Sequence, residues 1–63
     1  MSNNQQFEVG QIVNGRVAGT FVILALTTED GGPAARVKAV NPEDHSQRAR
    51  GSLVLPFSAL RAV

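Results

Sequence analysis

The residue types best suited to catalysis are few in this sequence, and its single histidine is the first to consider. His45 lies in the segment "NPEDHSQ", next to Asp44 and Ser46, where a base beside a carboxylate would suggest general-base chemistry. A catalytic triad needs groups that the fold brings together and holds in a fixed geometry, which chain neighbours in a polar loop do not supply. The pattern favours a solvated loop histidine, and we predict no catalytic residue.

Metal and phosphate sites are not indicated either. The chain has no cysteine, and one histidine cannot form a ligand cluster. Glu29 and Asp30 precede two glycines but lack the alternating acidic ligands of a calcium loop. The segment "GGP" has neither the lysine nor the following helix of a phosphate-binding loop. We therefore expect no metal, no cofactor and a protein that is not an enzyme.

The basic residues give a stronger signal. The net charge is only +1, but residues 1–30 carry a net −2 and residues 31–63 a net +3. Two pairs of basic residues each have the two-residue spacing that places side chains on one face of a strand: Arg36 with Lys38, and Arg48 with Arg50. If the two segments pair across the loop 41–47, all four would form a patch able to attract nucleic-acid phosphates.

An alternative interpretation of these four residues remains open. Charged residues on alternate positions of a strand are also what an ordinary solvent-exposed face requires. Proteins that bind single strands usually add aromatic stacking platforms, whereas this chain has three phenylalanines, of which Phe21 and Phe57 look like core residues, and no Trp or Tyr.

A third signal is apolar. In "TFVILALT", residues 20–27, strict alternation would place Phe21, Ile23 and Ala25 on one face and the equally apolar Val22, Leu24 and Leu26 on the other. One small domain has one interior, so the second face would meet water unless something covers it. We predict that Val22, Leu24 and Leu26 mediate self-association as a two-fold dimer, the commonest closed arrangement.

The chain that positions these residues is short. Its 63 residues allow one domain, which we place at 7–63 after a disordered polar tail at 1–6. The tail has neither the basic nor the apolar region of a signal peptide, and "FVILAL" is too short to span a bilayer. We expect a cytoplasmic protein without a membrane partner.

The pattern of apolar runs and turn residues predicts an all-β fold. Strands are expected at 20–27, at 34–40 and at 48–55, the last ending at Pro56 because proline cannot donate to a ladder. Asp30-Gly31 indicates a turn, and 41–47 a polar loop. Residues 56–60 predict one short helical turn, followed by a terminal strand. These elements together predict a small five-stranded barrel.

The stretch "VGQIVNGRV", residues 9–17, carries two conflicting signals. Asn14-Gly15 is a strong hairpin turn, but a turn there would leave a second arm too short for a stable hairpin. We therefore predict a bent strand from Val9 to Val17, with Val9, Val13, Gly15 and Val17 on one face, followed by a turn at Ala18-Gly19. A glycine inside such a strand marks a bulge or a sharp corner.

Two resemblances follow from these segments. "GQIVNGRV" and "GSLVLPFSAL" resemble the opening strand and a later segment of the RNA-binding oligonucleotide-barrel domains of ribosomal proteins, although the aromatic stretch before the second strand is missing here. "LVLPFSALRAV" resembles the end of Src-homology-3-like barrels, in which a strand, a helical turn beginning at proline and a short strand close the domain. The second resemblance implies the preferred fold, and neither transfers a functional residue.

The expected function is that of a non-enzymatic binding module. The leading prediction is binding of nucleic acid or another anionic polymer through Arg36, Lys38, Arg48 and Arg50. The alternative is a protein-interaction or homo-oligomerisation module with no nucleic-acid role.

Overall fold

The computed structural model describes residues 7–16, 18–47 and 51–63. They form one sheet of five antiparallel strands in the order β4-β3-β2-β1-β5, with almost no helix. This confirms the predicted all-β class, the number of strands and the late helical turn. Three parts of the chain lie outside the described residues: residues 1–6, where a tail is predicted, Val17, and the segment 48–50. The elements are β1 (Ile12–Gly15), β2 (Thr20–Glu29), β3 (Gly32–Val40), β4 (Leu53–Pro56), a 3-10 turn (Phe57–Ala59) and β5 (Leu60–Ala62).

The predicted turn at Asp30-Gly31 joins β2 and β3. Both residues have positive φ, +52° and +78°, as a two-residue type I′ hairpin turn requires. Glu29 and Gly32 are the last paired residues on either side of it. Both strands therefore extend two residues further towards the turn than the apolar pattern predicts, because a two-residue connection leaves no unpaired residue between them.

The chain does not turn at Asn14-Gly15, since both residues are paired within β1, but the strand ends at Gly15 and not at Val17 as predicted. Asn14 pairs with Thr20 of β2 and with Arg61 of β5, and the Gly15 N–H donates to the Gly19 carbonyl at 2.9 Å. The chain reverses direction between Gly15 and Gly19, which this hydrogen bond joins.

The predicted beginning of this strand is wrong. β1 starts at Ile12, because residues 8–11 form a turn in which the Gln11 N–H donates to the Glu8 carbonyl at 3.1 Å and Gly10 has a φ of +89°. Val9 is therefore 61% exposed instead of sharing the face of the buried Val13. An alternating apolar pattern could not reveal this turn, since a left-handed glycine interrupts a strand without changing its hydropathy.

A β-bulge interrupts β2. The pairing with β3 runs regularly up to Ile23 opposite Val37, then shifts by one residue so that Ala25 lies opposite Arg36. Leu24 is the extra residue, and it reverses the alternation beyond it. Leu26 therefore pairs with the buried Ala35 on the core side. The prediction that Val22, Leu24 and Leu26 share one face is wrong for this reason.

The core lies on one face of the sheet. It includes Phe7, whose ring makes a T-shaped contact with that of the partly buried Phe57, with ring centroids 4.8 Å apart. Partly buried Phe21 and Leu55 pack against the same cluster. The buried cluster on this face consists of Phe7, Val13, Ile23, Ala35, Val37 and Leu60. Ala34 and Val40 are buried as well, although they pair with Thr27 and Thr20 and so lie on the opposite face of the sheet.

The two edge strands, β4 and β5, are consecutive in the chain. Edges of a flat five-stranded sheet would lie about 19 Å apart, since neighbouring strands are about 4.8 Å apart. The three residues of the 3-10 turn would span at most about 14 Å even if extended. The sheet must therefore curl. It does not close into a barrel, because within the described residues β4 pairs with β3 alone and β5 with β1 alone.

Replacing Gly15 with alanine tests the corner after β1. An added Cβ would lie 2.6 Å from the Ala18 carbonyl oxygen and 3.1 Å from Phe21 Cε2. Because the backbone oxygen cannot move without opening the loop, we expect Gly15→Ala to lower the free energy of unfolding by about 2 kcal/mol, measured by chemical denaturation.

Gly51→Ala is the matched control, because a Cβ there meets nothing within 4 Å. It should be neutral or stabilise the fold by less than about 1 kcal/mol through the unfolded chain. Equal loss of stability in both variants would contradict the close approach at Gly15.

Candidate anion-binding face

Two of the four predicted basic residues lie side by side on the outer face of the sheet, opposite the core. Arg36 and Lys38 flank the buried core residue Val37 in β3 and so point to the other side. Arg36 is exposed and pairs with Ala25 and Val54, and Lys38 is half-buried and pairs with Val22. Their paired neighbours on this face, Ala25, Val54 and Val22, are small or branched apolar residues that carry no charge.

The structure adds Arg61, a cation that sequence reasoning missed. Arg61 pairs with Asn14, and Asn14 pairs with Thr20, which places all three on the outer face because their neighbour Val13 points into the core. Arg61 is exposed and lines an open, mainly polar hollow of about 390 Å³. Within that hollow the Thr20 hydroxyl donates to Asn14 Oδ1 at 3.1 Å.

Only the pairing of β5 with β1 brings Arg61 to this face. In sequence, the residue lies 23 positions after Lys38, beyond the connection from β3 to β4, β4 itself and the 3-10 turn. The signal that would have found it is the "LVLPFSALRAV" ending, read as a strand that returns to pair with β1.

Carboxylates lie at the periphery of this face. Glu29 and Asp30 are at the tip of the β2-β3 hairpin, Glu43 and Asp44 in the loop 41–47, and Glu8 in the first turn. Within the described part of the chain, none of Arg36, Lys38 and Arg61 forms an ion pair. Their charges are thus not neutralised by the protein's own acids.

Arg16 has a different role. Its guanidinium donates to the Ser58 carbonyl at 3.1 Å, and its backbone N–H donates to the Ala59 carbonyl at 3.0 Å. These bonds attach the loop after β1 to the 3-10 turn. Arg16 therefore acts as a structural tether that joins the β1-β2 loop to the turn between β4 and β5.

The other predicted pair, Arg48 and Arg50, falls outside the described residues. The segment before it does return beside β3, since Gln47 forms a bridge with Val40 across the loop 41–47. The expectation that this loop reverses the chain is met, and the position of the two arginines stays a prediction.

The loop 41–47, which contains His45, is held by hydrogen bonds among its own residues. The Asn41 N–H donates to the Ser46 carbonyl and the His45 N–H to the Asn41 carbonyl, each at 2.8 Å. His45 is exposed and has a positive φ of +62°. The described residues contain no group of three or more potential metal ligands.

Asp44 is the residue that organises this loop electrostatically. Its Oδ1 accepts hydrogen bonds from the Ser46 N–H at 3.0 Å and from the Ser46 hydroxyl at 2.9 Å. The backbone bond first, and then the hydroxyl bond, hold the pKa of the Asp44 carboxyl below its ordinary value of 3.8. Asp44 thus interacts with Ser46, its neighbour but one, and not with the imidazole of His45.

The residues predicted for self-association are divided by the bulge. Val22 is half-buried on the outer face, whereas Leu24 is 39% exposed at the bulge and Leu26 is 36% exposed on the core side. A separate apolar groove of about 210 Å³ lies where the sheet is not closed, between the loop after β1 and β4. Phe21, Leu53 and Leu55 form its apolar wall.

Fold and surface together define a small five-stranded antiparallel protein with a cationic outer face. A comparison of the chain with protein-family models, curated proteins and solved structures finds no match. Among the described residues there is no helix of the length and apolar character needed to cross a membrane.

The Asp44 bonds predict a pH dependence of the loop 41–47. Because the folded-state pKa is depressed, the stabilisation is present above the ordinary value of 3.8 and is lost as the pH falls through the lowered pKa. In an NMR titration, the Asp44 carboxyl should titrate below 3.8, and the Ser46 amide resonance should shift at the same midpoint.

Ser46→Ala provides the comparison. It removes the hydroxyl donor but keeps the backbone bond, so the Asp44 midpoint should move upward while remaining depressed. A midpoint at or above 3.8 in the unaltered protein would contradict the hydrogen-bonded loop.

Proposed function

We propose that this protein is a non-enzymatic module that binds single-stranded nucleic acid, or a similar anionic polymer, across the outer face of its sheet. The observation that carries the proposal is the set of three cations on that face, Arg36, Lys38 and Arg61, with no carboxylate among them to neutralise their charge. Polyanions are bound mainly through such contacts to phosphate, which release counterions.

The spacing of the cations suits a flexible chain. Arg36 and Lys38 are two residues apart in β3, so their α-carbons are about 6.7 Å apart, a distance that an extended phosphate backbone can follow. Arg61 stands beyond them, at the polar hollow with Asn14 and Thr20, whose amide and hydroxyl groups suit a sugar or a base edge. Half-buried Ile12 and Val22 lie between these positions on the outer face.

The lack of aromatic side chains on this face limits the mode of binding. With no Trp or Tyr in the chain and Phe7, Phe21 and Phe57 all packed at the core, base stacking contributes little. Binding would rest on phosphate contacts, which carry no sequence information directly. The expected ligand is therefore a polyanion of mixed sequence, held weakly and with strong salt dependence.

We also propose a finer fold class and a cellular location for this protein. An open variant of the Src-homology-3-like fold is supported by the link of three 3-10 residues after Pro56 and by the short final strand that pairs with β1. A cytoplasmic location is supported by the absence of cysteine from the sequence.

A protein-interaction module is the second candidate. The exposed Leu24 and Leu26 favour it, because large apolar side chains at the surface of a small domain are suitable contacts for another protein. This surface lies on and beyond the bulge, away from Arg61, so the two functions do not require the same residues.

The salt dependence of binding tests the proposed anion face. With a labelled single-stranded oligonucleotide of mixed sequence, fluorescence anisotropy should show affinity falling as salt rises. Removal of one cation that binds a phosphate should flatten the slope of log affinity against log salt concentration by about 0.7. We expect Lys38→Ala and Arg61→Ala each to weaken binding and to reduce the slope by about that amount.

Arg16→Gln is the matched control, because it removes the same charge from the tether at the 3-10 turn instead of the outer face. It should leave the slope nearly unchanged. Absence of binding at low salt, or equal slope changes for Arg16 and Lys38, would reject the proposed interface.

A further inference from the structure

The hairpin of β2 and β3 extends beyond the rest of the sheet and leaves one edge of β2 open. β1 pairs with β2 over Thr20–Val22, and Gly10 and Gln11 continue that pairing to Ile23. From Leu24 to Glu29, the described residues provide a partner on the β3 side alone. Such an edge presents unpaired backbone donors and acceptors to any strand that approaches it.

The hairpin register identifies the groups on this edge. In a two-residue hairpin, the residues that flank the turn exchange both hydrogen bonds, here Glu29 and Gly32. Because backbone groups alternate in direction along a strand, Thr27 and Ala25 also bond towards β3. Leu26 and Thr28 therefore direct their N–H and carbonyl groups to the open edge.

We propose that this edge is a dimerisation site, at which β2 pairs antiparallel with β2 of a second copy, Leu26 lying opposite the partner's Thr28. The two-fold axis then passes beside Thr27. In this register, Leu26 lies opposite the partner's Thr28 and, by symmetry, Thr28 lies opposite the partner's Leu26. Each of these two pairs exchanges two backbone hydrogen bonds, so the register forms four. A shift of two residues in either direction halves that number.

Charge complementarity singles out a second copy as the occupant. Ala25 pairs with Arg36 and therefore lies with it on the outer face. Glu29 lies on the same face, because it is four residues after Ala25 in a strand whose side chains alternate with a period of two. In the proposed register, the partner's Glu29 lies opposite Ala25 and therefore in one row with Arg36. The methyl group of Ala25 leaves room for the two long side chains to meet across it, and the symmetry creates this contact twice.

The other open edges are less suitable for strand pairing. β4 has four residues and ends in Pro56, which has no N–H, and β5 has three residues. The β2 edge also bears Leu24 and Leu26, 39% and 36% exposed, whose apolar surface a second copy would help to cover. The proposal does not depend on nucleic-acid binding, and it is tested without nucleic acid.

Charge exchange at Glu29 and Arg36 tests the register. Glu29→Lys and Arg36→Glu each place like charges in both equivalent rows, and each should weaken the dimer about tenfold or more. The double variant restores opposite charges and should recover the dimer. The measurement is the dissociation constant from light scattering and sedimentation over a concentration series.

Glu43→Lys, which makes the same charge change in the loop 41–47, is the control and should dimerise as the unaltered protein does. Leu26→Pro removes the Leu26 N–H, which points to the open edge and away from β3. The variant should be folded by circular dichroism and monomeric by sedimentation. A monomeric unaltered protein at about 1 mM, or a double variant no better than the single ones, would overturn the proposal.

Discussion

The structure depends on one chain constraint: the two edge strands of the sheet are joined by three residues. β4 and β5 stand at opposite edges, yet Phe57–Ala59 is all that separates them along the chain. A flat sheet cannot satisfy this connection, so the sheet curls around the side chains on its concave face. The curl creates an interior for a chain that has no cysteine to form a disulfide and whose described residues form no layer of helices. The Phe7–Phe57 contact and the Arg16 bonds then attach the first described residue and the loop after β1 to the 3-10 turn, the segment that imposes the curl.

The bulge at Leu24 divides β2 into two parts with different roles. Before it, β2 is paired on both sides and contributes Phe21 and Ile23 to the core. Beyond it, the strand leaves β1 and continues as one arm of a hairpin with an open edge. A bulge increases local twist and bends the strand, which suits a strand that must first follow the curl and then leave it. The same extra residue sets Ala25 beside Arg36. In the proposed dimer, the partner's Glu29 lies on the other side of Ala25, so its charge complements that of Arg36.

The two proposals are geometrically compatible. A two-fold axis between antiparallel strands is perpendicular to the sheet, so the outer faces of both copies would point in the same direction. Lys38 and Arg61 of the two copies would then lie on one continuous surface, longer than either face alone. Arg36 would be partly neutralised by the partner's Glu29, which makes Lys38 and Arg61 the main phosphate contacts of the dimer. Binding of a long polyanion would consequently gain from two linked sites.

Local chemistry along the sequence determined much of this protein. The Asp30-Gly31 turn, the strand rich in β-branched residues after Thr20, the stop at Pro56 and the short helical turn follow from backbone preferences that act within a few residues. The all-β class and the shared face of Arg36 and Lys38 follow from them too. Tertiary structure alone decided the rest. The turn at Gly10, the bulge at Leu24, the place of Arg61 beside β1 and the open edge of β2 depend on which strands meet and in what register. Register is set by contacts between residues far apart in the chain, and a shift of one position exchanges the two faces of a strand without changing a single residue.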